Sequence, residues 1–221
     1  MPMRVSGTLP PKALAFDLDG TLLDSFSIHF ESYRQTCAHF DITITEEAFR
    51  AAYSADWNQT YGALGIQPDH WEAASKLWRS QAAKHQAQLL PGVKDTLLQL
   101  RQTHHLALVT SGSKARVTRD LKSTGISQFF QVVVTGEDVQ KPKPSPEGLI
   151  RVLDHLKLAP QEAVYIGDWF SDREMADAAG VSFVGIRSEF NAAHPDKALF
   201  TLNSVAELPA LLKLGRRSAA H

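Results

Sequence analysis

The chain has 221 residues, 43% of them hydrophobic and 21% charged, with a formal net charge of −1. That length suits one large domain or an ordinary domain with a smaller companion, and the composition can bury a core. The near-neutral balance offers no broad basic face for nucleic acid or an anionic membrane, and the single cysteine, Cys37, excludes an internal disulfide.

The opening segment, "MPMRVSGTLPPK", has no hydrophobic stretch and reads as a loose tail rather than a secretory signal, as does "GRRSAAH" at the other end. No apolar run approaches membrane-spanning length. The expectation is a cytoplasmic protein, a monomer or homodimer, with neither membrane nor nucleic acid as partner. Short apolar runs then come in a regular order: "ALAF" (13–16), "LALV" (106–109), "QVVV" (131–134), "AVYI" (163–166) and "VSFVGI" (181–186). Between the later ones lie the helix-spaced segments "VKDTLLQLRQ", "KARVTRDLKSTG", "PEGLIRVLDHLK" and "SDREMADAAG", two of them stopping at Gly125 and Gly180. Apolar strands alternating with helices predict an α/β fold with a doubly wound parallel sheet. A further strand is expected at "ALFTL" (198–202), then a helix over "SVAELPALLKL", which Pro209 fits poorly.

Residues 25–89 break the alternation. They hold helix-like stretches around "HFESYRQTCAHF" and "HWEAASKLWRSQAAKHQ", and three of the four tryptophans, Trp57, Trp71 and Trp78. The segment reads as a helical domain, 25–89, inserted into an α/β domain made of residues 1–24 and 90–221.

In open parallel sheets, ligands bind beyond the carboxyl ends of the strands, so the residues following each apolar run sample one site. The first run delivers Asp17, Asp19, Gly20 and Thr21, with Asp24 close behind. The second delivers Thr110, Ser111, Gly112 and Ser113. "GEDVQKPKPSPE" follows the third, with Lys141 and Lys143, and Asp168 and Asp172 follow the fourth. Asp and Gly are ordinary turn residues, so the acids alone decide nothing. The ordered set does, because each type has a task in phosphoryl transfer. A carboxylate can attack phosphorus, and a second can protonate the leaving oxygen and later activate water. Mg²⁺ takes carboxylate oxygens, while a hydroxyl, backbone N–H groups and a lysine hold the phosphoryl oxygens.

"DLDGT", "LVTSGS", "KPKPSPE" and "GDWFSD" resemble, in order and spacing, the four motifs of the haloacid dehalogenase (HAD) superfamily. The likeness extends over nearly the whole chain, including an insert similar to that superfamily's small helical cap. By that resemblance Asp17 is the nucleophile, Asp19 the general acid/base, Thr110 the phosphate-binding hydroxyl and Asp168 a Mg²⁺ ligand. Asp172 would hold the ion directly or through water, with Asp17 and Asp19 completing the metal set, and Ser111 and Gly112 would bind substrate. Related phosphatases read "DV", three residues, then "KPxPE". From Asp138-Val139 that register selects Lys143 over Lys141. Dehalogenases of the superfamily lack an acid at the position of Asp19, since expelling halide needs no proton, so a small phosphorylated metabolite is the expected partner.

The resemblance implies a Mg²⁺-dependent phosphatase of the phosphoglycolate phosphatase and β-phosphoglucomutase-like kind, working through an aspartyl-phosphate. A phosphosugar mutase is the alternative that the motifs leave open. A receiver-type signalling domain is disfavoured by the Asp17–Asp19 spacing, and a non-catalytic binding protein by the completeness of the motifs. Weaker readings concern individual residues. His29, twelve positions after Asp17, suits a substrate contact near the hinge or a polar helix face equally well. Trp57, Asn58 and Tyr61 suit the insert's substrate loop, though core is the commoner fate of such aromatics. Lys114 and Arg116 open the helix after the second motif, where they suit a phosphate contact or, more commonly, solvated helix charges, and His104 and His105 read as solvent-facing.

Overall fold

The computed structural model describes residues 11–54, 56–191 and 202–218. The apolar runs form β1 (Ala13–Phe16), β2 (His105–Val109), β3 (Val132–Val134), β4 (Ala163–Gly167) and β5 (Ser182–Gly185). All pair in parallel, in the order β3-β2-β1-β4-β5. The first strand in sequence is therefore the central one, and the chain winds away from it in both directions. Phe16 stands opposite Leu108 on one side and Ile166 on the other, which brings the residues just beyond all three strands to one crevice.

Alternation along the strands divides the core into two layers. Leu14, Phe16, Leu106, Leu108 and Ile166 face α5 (Val93–Leu100), α6 (Lys114–Ser123) and α9 (Leu208–Ser218). Ala13, Ala15, Ala107, Val109 and Tyr165 face α7 (Glu147–Leu156) and α8 (Phe170–Ala179). Small alanines on the second face let α7 and α8 approach the sheet closely. α8 ends where expected, at Gly180, whose φ of +69° closes the helix in the left-handed region that glycine adopts without strain.

Between β1 and α5 the chain forms α1 (Phe26–Ala38), α2 (Glu46–Ala52), α3 (Trp57–Ala63) and α4 (Trp71–Ala82), with no strand among the described residues. Thr45 and Asp56 start α2 and α3 by accepting from Ala48 N and Asn58 N. This insert has a core of its own, in which Tyr33, Phe49, Tyr61 and Trp78 pack with Cys37 and Ala74. It leaves and rejoins the α/β part through adjacent segments, for Asp24 N donates to Gln88 O and Leu90 N to Leu22 O. Asp24 itself is exposed in that connection and has no part in the crevice.

Three expectations change. α9 continues through residues 215–218, so most of the stretch read as a loose tail is helix, anchored by the buried Leu208 and half-buried Leu211 and Leu212. Pro209 is accommodated in the first turn of α9, where its missing N–H costs no intrahelical bond. His104 is buried, its Nδ1 lying 2.9 Å from Thr103 Oγ1 beside the end of α5, whereas His105 is exposed. The strand expected over 198–202 lies outside the described residues except for Leu202, which bridges to Ile186 in parallel. The first ten residues, read as a loose tail, also lie outside them. Among the described residues no helix is long and apolar enough to cross a membrane.

Candidate active site

At the carboxyl ends of β1 and β4, Asp17, Asp168 and Asp172 are buried together, with one carboxylate oxygen of each lying within 4.8 Å of the others. Lys143 reaches them from the loop before α7. Its Nζ donates to Asp17 Oδ1 at 2.6 Å, to Asp172 Oδ1 at 2.7 Å and to Tyr165 Oη at 2.8 Å. The Tyr165 hydroxyl donates in turn to Val109 O, so β4 and β2 together aim the ammonium group. Lys141 is exposed, and only its backbone N–H is held, by Glu147. The structure thus separates the two lysines physically: one is in the acid cluster, the other at the rim.

The remaining contacts fix the acids. Asp172 Oδ2, in the first turn of α8, accepts from Asp168 N at 3.1 Å and Trp169 N at 3.0 Å. Asp168 is held by the hydroxyls of Ser188 and Thr21, and its backbone carbonyl accepts from Asn191. Gly20 has a φ of +75°, and a Cβ there would collide with Asp168 Oδ2 and lie 2.8 Å from Phe190, so the residue after Asp19 has to be glycine. Thr110, buried at the end of β2, accepts from Gly112 N at 3.1 Å, which shapes the turn of Thr110, Ser111 and Gly112 before α6.

Electrostatically the cluster is short of positive charge. Burial, then the neighbouring Asp172 and Asp19 charges, push Asp17 up to about 7 against the pull of Lys143. Burial and the Asp17 and Asp172 charges push Asp168 well above the usual carboxylate range. Burial works against the Lys143 ammonium, but Asp17 and Asp172 outweigh it and hold the proton on. Three carboxylates facing one ammonium form the oxygen-rich, under-compensated donor set that a hard divalent cation fits.

Asp19 lies outside this group. Its carboxylate meets the Arg116 guanidinium through two hydrogen bonds, one of 3.0 Å to Oδ1 and one to Oδ2, and His29 Nε2 is 3.4 Å from Oδ1. Burial opposes its ionisation, but Arg116 and then His29 hold it well below the ordinary value. The Arg116 side chain is only 11% exposed, so the reading of this residue as a solvated charge fails; Lys114, at 67%, fits that reading. Tyr165, Ser188 and Asn191 are the contributors that sequence reasoning missed. For Arg116 it offered a phosphate contact only as the lesser reading, although with Val117, Asp120 and Leu121 the residue falls on one stripe of α6.

Two cavities open over these groups. One, of about 230 Å³, is lined by Thr110, Ser111, Lys141, Lys143 and Trp57 among others. A second, of about 60 Å³ between insert and sheet, is lined by Asp19, His29, Tyr53, Trp57, Ser111 and Arg116 among others. The insert's candidate residues part company here. Tyr61 is fully buried core, Asn58 is exposed, and Trp57, 37% exposed, walls both cavities.

The sequence profile of the haloacid dehalogenase-like hydrolases matches residues 14–186. The chain is 30% identical to the pyrophosphatase PpaX of Listeria innocua over 179 residues, 78% of this chain and 82% of that one. It is also 30% identical to a phosphoglycolate phosphatase of Pseudomonas putida, in an alignment that covers 93% of this chain and 80% of that one. A Bacteroides fragilis structure assigned to the haloacid dehalogenase-like hydrolases superposes with a TM-score of 0.82 at 27% identity, over 90% of this chain and 99% of that one. The match spans β1 to β5 and every acid of the crevice, and the chain is an enzyme of the haloacid dehalogenase-like hydrolase family.

Proposed function

We propose that the protein is a Mg²⁺-dependent phosphatase that hydrolyses a small organic phosphate by way of an aspartyl-phosphate on Asp17. The observation that carries this reading is the Lys143 ammonium bridging Asp17 and Asp172 beside Asp168, at the mouth of a cavity that Thr110 also lines. Relatives named for pyrophosphate and phosphoglycolate support the phosphoryl chemistry and a small substrate.

Asp17 Oδ attacks phosphorus, and the bond from phosphorus to the leaving oxygen breaks. Asp19, once turned away from Arg116 and protonated from solvent, gives that oxygen its proton, then takes one from the water that attacks the phosphorus on Asp17. Phosphate departs and Asp17 is restored. Thr110 and Lys143 hold the phosphoryl oxygens, Lys143 by a charge already fixed in place, so no reorganisation is needed as charge shifts. Asp17, Asp168 and Asp172 would hold Mg²⁺, with Asp172 also orienting Lys143. The ion supplies positive charge that lets an anionic nucleophile meet an anionic phosphoryl group.

The test is phosphate release from a panel of phosphoglycolate, pyrophosphate and sugar phosphates. EDTA is expected to abolish it and Mg²⁺ to restore it, and Asp17→Asn to lower turnover by at least about 10⁴-fold. Full activity without divalent metal, or a Asp17→Asn enzyme within tenfold of the wild type, would overturn the proposal.

A further inference from the structure

The small cavity between insert and sheet has a charge arrangement that the chemistry at Asp17 leaves unexplained. Three basic residues sit in the first two turns of α6, and they are treated differently. Lys114 and Arg119 are 67% and 40% exposed, whereas the Arg116 side chain is 11% exposed. Burying a guanidinium is costly unless it is paired, and its pairing here is with Asp19, through two N–H groups on the two carboxylate oxygens. Its other acidic neighbour, Asp120, has a cation of its own: Arg119 donates to it at 2.8 Å, while Arg116 stands 3.5 Å away. Asp120 therefore does not account for Arg116. The fork that holds Asp19 is also the geometry in which a guanidinium takes any carboxylate or phosphoryl group.

A second polar atom points at the same place. His29 is buried, and its Nε2 has no hydrogen-bond partner although it is only 3.4 Å from Asp19 Oδ1. The cavity that His29 and Arg116 line has a volume of about 60 Å³, room for a group the size of about two water molecules. Ser111 and Trp57 wall both this cavity and the larger one over Thr110 and Lys143. The two cavities therefore adjoin, and a short substrate held at Thr110 and Lys143 has Arg116 in the neighbouring one. Meanwhile Asp19 cannot serve the leaving oxygen while both of its own oxygens are held.

We propose that Arg116, assisted by His29, is the receptor for a second anionic group on the substrate, and that this group takes over the guanidinium from Asp19. Arg116 is then a specificity-determining residue, favouring short phosphates that end in a carboxylate or a second phosphoryl group over those with an uncharged end. Binding of the correct tail and release of Asp19 become one event. The inference rests on the reading of Asp17 as the phosphoryl acceptor.

The experiment compares kcat/KM for matched pairs that differ in tail charge: phosphoglycolate against its amide, and ethylene glycol bisphosphate against 2-hydroxyethyl phosphate. The first pair tests a carboxylate tail and the second a phosphoryl tail. The wild-type enzyme is expected to prefer the charged member of at least one pair by about tenfold or more, the worth of a charge-assisted hydrogen bond. Arg116→Gln should shrink that ratio to within about threefold, and Arg116→Lys should retain part of it, since a point charge replaces a fork. Equal turnover of both members of each pair by the wild type overturns the proposal while leaving the role of Asp17 intact, and needs no variant that might misfold. Equal losses on both members in Arg116→Gln would also overturn it, because Arg116 would then serve Asp19 alone. Release of phosphate from none of these substrates, and from none of the wider panel of pyrophosphate and sugar phosphates, would instead defeat the reading of Asp17.

Discussion

Asp17 and Asp19 are two residues apart, yet they belong to opposite electrostatic regions of the molecule. Asp17 sits at the strand ends among acids, where among the described residues Lys143 is the one ammonium in the group and burial drives the carboxyl upward. Asp19 sits under the insert, where Arg116 and His29 surround one carboxylate and hold it ionised. A single residue type in one short motif thus receives two different environments. The sheet makes the first and the junction of α1 with α6 makes the second. Site chemistry here is set by which partners the topology delivers, since the acids themselves are chemically identical.

The comparison can be broken from either side. The largest loss of stability is expected from Lys143→Met, which leaves Asp17 and Asp172 buried without their cation. Breaking a buried pair by removing one partner costs about 3–5 kcal/mol, and loss of a preorganised charge at the phosphoryl oxygens costs about 10²–10³-fold in kcat. Added Mg²⁺ should recover part of the stability and little of the activity, as read by thermal melting and phosphate release. Lys141→Met should change kcat by less than about threefold, because that side chain is exposed and unpaired surface charge contributes little. Equal effects of the two substitutions would mean that the wrong lysine has been placed at the phosphate.

On the other side of the comparison, Asp19→Asn is expected to slow alkyl phosphates by about 10²–10⁴-fold, the usual range for general acid–base catalysis. With an activated aryl or acyl phosphate the first step should be nearly spared, because the leaving group needs little protonation. A uniform loss on both substrate types, measured by initial rates, would remove Asp19 from the acid role. The smallest effect belongs to Lys114→Ala. Its ion pair with Asp138, 3.4 Å long and largely exposed, should contribute under about 1 kcal/mol, with kcat/KM unchanged.

How much of this was legible in the sequence follows from the same contrast. Asp17, Thr110, Lys143 and Asp168 follow strands or occupy the motif loop, and short apolar runs mark strand ends plainly. Sheet order then brings those residues together whatever the detailed packing. Arg116 was legible only as the lesser of two readings, because a basic residue in the first turn of a helix ordinarily faces solvent. Its position on the Val117–Leu121 stripe was the available clue. His29 stood evenly between helix surface and site, and the structure buries it against Trp78 and Phe190 beside Asp19. Ser188 and Asn191 hold Asp168 from a loop with no motif, so nothing in their local sequence announced them.

The most direct test of the division between the two aspartates is intact-protein mass spectrometry after rapid acid quench with acetyl phosphate and Mg²⁺. Asp19→Asn should accumulate one phosphate-sized adduct, since Asp17 remains able to attack while water is no longer activated for the second step. Asp17→Asn should show none, because an amide is a very poor nucleophile toward phosphorus. An adduct of equal yield on the Asp17→Asn protein would contradict the assignment of the phosphoryl acceptor.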